Sequence, residues 1–110
     1  MPLYMFKGSY TTDSIKAMVD SPQDREAAAR KMIEALGAKL HSMYFCFGKE
    51  DVIAIIEAPD DQTMAAGALV VGASGSMSSG ETVKLMTSSE AMGAMKKAGG
   101  AVSSYKPASG

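Results

Sequence analysis

Tryptophan is absent from this sequence, and cysteine and histidine occur once each. Cys46 therefore has no partner for a disulfide within the chain. It stands in an apolar strand with no basic neighbour, so its thiol reads as buried and inert. His41 has no second histidine, cysteine or glutamate at ligand spacing, so neither a metal nor another cofactor is expected. Neither sign of charge prevails: 11 Lys and Arg stand against 12 Asp and Glu, a net charge of −1. Interspersed as they are, these charges leave no footprint for nucleic acid or an anionic membrane. Long hydrophobic runs are missing too. The longest, residues 64–73, is about half of the roughly 20 residues a spanning helix needs, and Gly67 and Gly72 interrupt it. Lys7 and Gly8 break any leader-like run near the start, so no signal peptide is read and the cytoplasm is the expected location.

What is present is enough for one domain. A chain of 110 residues lies near the commonest domain size, and a hydrophobic fraction of 46% is ordinary for a globular protein. Ten methionines suit a core with irregular gaps. The patterning assigns residues 1–98 to the domain and residues 99–110, rich in Gly, Ser and Ala, to a loose tail.

Residues 3–10 alternate as a strand, with Tyr4, Phe6, Gly8 and Tyr10 on one face. Thr11, Thr12 and Asp13 are cap-type residues for a helix whose stripe is Ile15, Met18 and Val19. Ser21-Pro22 breaks or restarts it, with Ser21 as cap and Pro22 in the first turn; Ala29, Met32, Ile33 and Leu36 carry the stripe on to a stop at Gly37. A second strand is expected over residues 39–47. Strict alternation there sets His41, Met43, Phe45 and Phe47 against Leu40, Ser42, Tyr44 and Cys46. A third, over residues 52–58, follows the short segment 48–51, which forces an antiparallel hairpin. Asp60 or Asp61 can cap a helix to residue 73 that is apolar or small almost all round, and so is expected to be buried. Residues 74–80 read as a loop and 81–86 as the last strand. Thr87-Ser88-Ser89-Glu90 fits a capping box for a helix over 88–98.

The order β-α-β-β-α-β with an added helix is the ferredoxin-like α+β arrangement, an antiparallel sheet with helices on one face. Its other face should alternate with polar residues, yet both faces of the hairpin are mainly apolar. A second copy of the same sheet is the simplest cover, so a homodimer or larger homo-oligomer is expected.

Four stretches then resemble the GYD domain family: "YMFKGSYT", "EALGAKLHSMYFCFGKEDVIAIIEAPD", "GASGSMSSGETVKLMT" and "SSEAMGAMKKA". The likeness covers residues 3–98 in order and spacing. It implies the dimeric α+β barrel architecture, in which two ferredoxin-like sheets close face to face, and it implies no reaction. The family is named for a Gly-Tyr-Asp signature at the hairpin. Gly48 and Asp51 stand here, but Glu50 takes the place before Asp51 where Tyr is expected, so any role of that phenol does not carry over.

Three functions follow from the residues. The first is a binding module for a small apolar ligand, its pocket lined by Phe6, Tyr10, His41 and Tyr44, because strand aromatics with hydroxyls suit such a cavity. The second is a cofactor-independent oxygenase or isomerase of a hydrophobic substrate, with His41 or Asp51 as its titratable group. The third is an assembly protein without a ligand. The run 72–76 resembles a phosphate loop by composition only. It follows a helix instead of opening one.

Overall fold

The computed structural model describes residues 1–109. Four strands form one antiparallel sheet in the order β2-β3-β1-β4. They are β1 (Leu3–Tyr10), β2 (Lys39–Phe45), β3 (Val52–Glu57) and β4 (Met77–Leu85). Helices α1 (Thr12–Asp20) and α2 (Arg25–Ala35) join β1 to β2, α3 (Asp61–Ala73) joins β3 to β4, and α4 (Ser88–Gly99) follows the sheet. This is the ferredoxin-like arrangement that the element order implies.

Alternation on β3 divides the sheet. Val52, Ala54 and Ile56 are buried beneath the helices, while Ile53, Ile55 and Glu57 are half-buried on the opposite, open face. Tyr4 pairs with Ile56 and Phe6 with Ala54, so the even residues of β1 also face the helices. The core joins Tyr4, Leu40, Ala54, Ile56 and Ala58 of the sheet side to Ile33 of α2 and Met64 of α3. The β1–β4 ladder requires glycine at position 8. A Cβ there would lie 2.6 Å from the Ser79 carbonyl oxygen and 2.7 Å from Met77 Cε.

Strict alternation fails on β2. Leu40 pairs with Ile56, but the next partner, Ile55, meets Ser42, leaving His41 as the extra residue of a β-bulge. One extra residue inverts every side chain after it. Met43 and Phe45 therefore join Leu40 on the helix face, and Ser42 and Tyr44 take the open face. His41 does not share a face with Met43 and Phe45 as expected. The strand also stops at Phe45, so Cys46 is only partly buried and Phe47 is fully exposed.

Three further expectations are corrected. Ser21 closes α1, its N–H bonded to the Ala17 carbonyl, and it is Asp24 that caps α2 by accepting from Ala27 N at 3.1 Å. Pro22 explains this, because a residue before proline is steered out of the helical region. The fourth strand begins at Met77, inside the expected loop, since Gly80 and Ser79 pair with Gly8 and Ser9 and tertiary pairing overrides weak strand propensity. Helix α3 buries only Met64, and Leu69 is 72% exposed, because one sheet face can cover only one side of a helix. Every residue of α4 but Ala91 is exposed, as are residues 98–109, and the molecule measures 60 × 33 × 22 Å. Among the described residues no helix is long and apolar enough to cross a membrane.

Candidate ligand cavity

A cavity of about 250 Å³ lies between the helix face of the sheet and the two helices α2 and α3. The sequence leaves this space open by placing small residues on both helices. Ala28 and Ala29 face it from α2, and Gly67 and Ala68 from α3. A Cβ added at Gly67 would meet Leu36 Cδ1 at an ordinary 3.6 Å, so that glycine widens the space without being required by close packing. Phe6, Val52 and Ala54 form the floor, and Met32, Met43, Met64 and Met77 complete a deformable apolar wall.

Polar groups are few. Tyr10 and Arg25 line the cavity, with Thr63, Ser74 and Ser76. The Ser74 hydroxyl bonds to the Val71 carbonyl and to the Ser76 hydroxyl, so these two largely satisfy each other. The Tyr10 ring stacks on Phe45 with centroids 5.9 Å apart. Burial holds the Tyr10 hydroxyl above its ordinary value of 10.0, against the pull of the neighbouring Arg25 guanidinium. No carboxylate, imidazole or thiol of the described residues lines the space.

Of the residues expected from the sequence to form a pocket, Phe6 and Tyr10 meet here. His41 and Tyr44 do not. The bulge puts Tyr44 on the open face, 65% exposed, and His41 Nε2 lies 3.2 Å from Glu57 Oε1 on that same face. Asp51 lies outside the wall and has a structural task. Its N–H donates to the Gly8 carbonyl, its carbonyl accepts from Cys46 N–H, and its Oδ2 accepts from Tyr10 N–H at 2.9 Å. It thereby fastens the hairpin turn to the end of β1. Neither group named for acid–base work reaches the cavity.

Arg25 was missed in the sequence. The signal was there: Arg25 stands four residues before Ala29, in phase with the Ala29, Met32 and Leu36 stripe, a charge where an apolar residue belongs.

The molecule is thus a ferredoxin-like α+β protein with an apolar cavity under its helices. Its sequence matches the GYD domain over residues 4–95, and the chain belongs to that family. No curated protein matches it. Among solved structures it is similar to MtbAldR, with 15% identity and a TM-score of 0.54 over 78% of this chain and 52% of that one. This chain thus spans about half of MtbAldR's length. It is also similar to FFRP-DM1, with 11% identity and a TM-score of 0.53 over 78% of this chain and all of the other. At such identities the likeness extends to the fold alone.

Proposed function

We propose that this protein is an oligomeric small-molecule-binding module whose ligand occupies the cavity between the sheet and α2 and α3. The observation that carries this reading is the cavity itself, about 250 Å³ of apolar-walled space between the sheet and the two helices. Ala28, Val70 and Ser74 of its wall are exposed, so the space is an apolar cleft that a ligand can enter from solvent. The wall holds no acid–base pair, which favours binding over the oxygenase or isomerase reading.

Assembly is supported by the open face. Leu3, Met5, Ile53, Ile55, Val83 and Leu85 are adjacent in the register and only half-buried in the single chain. A second copy of the sheet would cover them, with the Lys7–Glu81 pair, 3.7 Å apart, at their edge. The lone Cys46 suits a reducing compartment, and the cytoplasm is the location we assign.

Native mass spectrometry of the protein purified from its own host tests both parts. The expected result is a dimer or larger oligomer carrying a reproducible extra mass that disappears on denaturation. A clean monomer would overturn the assembly. A chain that retains no mass and does not compete for an apolar dye would overturn the binding module.

A further inference from the structure

The cavity wall carries a single charge, and that charge is positive. Arg25 is its only ionised side chain among the described residues; no Asp, Glu, Lys or His lines the space. Nor is the guanidinium consumed by an ion pair. Its Nη1 donates to the neutral Oε1 of Gln23 at 2.9 Å, and the adjacent Glu26 is held by Arg30 at 2.9 Å. With five N–H donors, Arg25 keeps capacity for a further acceptor. The Asp51 carboxylate, close to Tyr10, is engaged by the Tyr10 N–H. Tyr10 ends β1, Arg25 opens α2, and both line the same cavity. With an ordinary value of 10.0, the Tyr10 hydroxyl keeps its proton at neutral pH and can donate it to an acceptor. Beyond these two groups lie Met32, Met43, Met64 and Met77.

Such a wall is complementary to a two-part molecule. A carboxylate matches the planar fork of a guanidinium and can take a second bond from a phenol, while a hydrocarbon body suits the methionines. An ammonium at the same place would meet a like charge, and an alcohol would leave the guanidinium without its ionic partner. We propose that the cavity selects an apolar carboxylic acid, its carboxylate held by Arg25 and the Tyr10 hydroxyl and its body among the four methionines. The proposal rests on the binding-module reading and adds the chemical class to it.

The test uses the full chain with methyl-labelled methionine, titrated at neutral pH with decanoate, decanol and decylamine. Decanoate is expected to move the methyl signals of Met32, Met43, Met64 and Met77 saturably and to bind about tenfold more tightly than decanol, the size of one charge-assisted hydrogen bond. Arg25→Gln should reduce decanoate to the affinity of decanol and leave decanol unchanged. Tyr10→Phe, which keeps the ring, should weaken decanoate alone. Equal binding of decanol or decylamine to the unaltered protein would overturn the acid and leave an apolar site standing. So would a preference for decanoate that survives Arg25→Gln. Failure of all three compounds to move those four signals would overturn the acid and the binding module together.

Discussion

The Tyr4 hydroxyl donates to Asp61 Oδ1 across 2.6 Å, joining β1 to the first turn of α3 over 57 residues of sequence. Lys84 of β4 meets the same Oδ1 at 3.0 Å, and its ammonium lies 5.9 Å from the centre of the Tyr4 ring. Tyr4 itself is only 1% exposed. One carboxylate thus collects a strand on either side of it in sequence and holds α3 against the sheet, which fixes one wall of the cavity.

The hydrogen bond to Asp61, followed by burial and the charges of Asp61 and Asp60, pushes the Tyr4 hydroxyl up to about 12. Its ordinary value is 10.0, so the folded chain holds this proton more firmly than the unfolded one. The stability it contributes is complete below pH 10.0 and is lost as the pH rises through about 12. Thermal unfolding followed by circular dichroism on the alkaline side should show this loss. Tyr4→Phe should be less stable near neutrality and should lose its stability less steeply with alkali. An unchanged alkaline slope in that variant would refute the assignment.

Acid should act at the N-terminal ends of α3 and α4. The side-chain and backbone bonds from Thr63 hold Asp60 below its ordinary 3.8, the Tyr4 and Lys84 bonds do so for Asp61, and the Thr87 bonds hold Glu90 below 4.5. Folded-state values below the unfolded ones mean stability that is present above 4.5 and lost as the pH falls through and below those values. All three residues are exposed, so added salt should shrink the effect of the Asp61–Lys84 pair. Melting temperature measured against pH at low and high salt checks both statements.

Gly8→Ala should destabilise the fold, because its methyl group would press on the Ser79 carbonyl oxygen at 2.6 Å and that backbone cannot move without parting β1 from β4. A loss of about 1–3 kcal/mol, as for overpacking generally, is expected in urea unfolding. Gly67→Ala is the control. Its nearest neighbour would be Leu36 Cδ1 at 3.6 Å, and its helical position favours alanine by about 1 kcal/mol.

Filling the cavity should separate binding from folding. Ala68, which lines the space from α3, can be enlarged to methionine. The Ala68→Met protein is expected to melt no lower than the parent and to lose its capacity for an apolar dye. Emptying the core has the opposite signature. Leu40 is 1% exposed, and Leu40→Ala should cost about 2–5 kcal/mol in urea.

The open face gives the assembly prediction. Ile55 pairs with Met5 and Ser42 near its centre. Ile55→Lys should shift the elution volume and the sedimentation coefficient to those of a single chain, with the far-ultraviolet spectrum unchanged. If the variant and the parent have the same mass in solution, this face is not the interface.

Local chemistry was legible in the sequence wherever it needed only near neighbours. Thr87 and Glu90 exchange their bonds at 2.9 and 3.1 Å as their spacing implied, a strand forms over Val52–Glu57 where the β-branched run stands, and Phe6 and Tyr10 both line the cavity. Periodicity carries that information because a side chain's direction repeats with its own element. The tertiary structure alone decided what depends on a partner strand or helix. His41 became the bulge because β3 supplied one residue too few to match it, and this turned Tyr44 away from the cavity. Met77 entered β4 because Tyr10 of β1 was there to pair with it. Arg25 became a cavity residue only when α2 was laid against the sheet, where a lone charge on an apolar stripe has no route to full hydration.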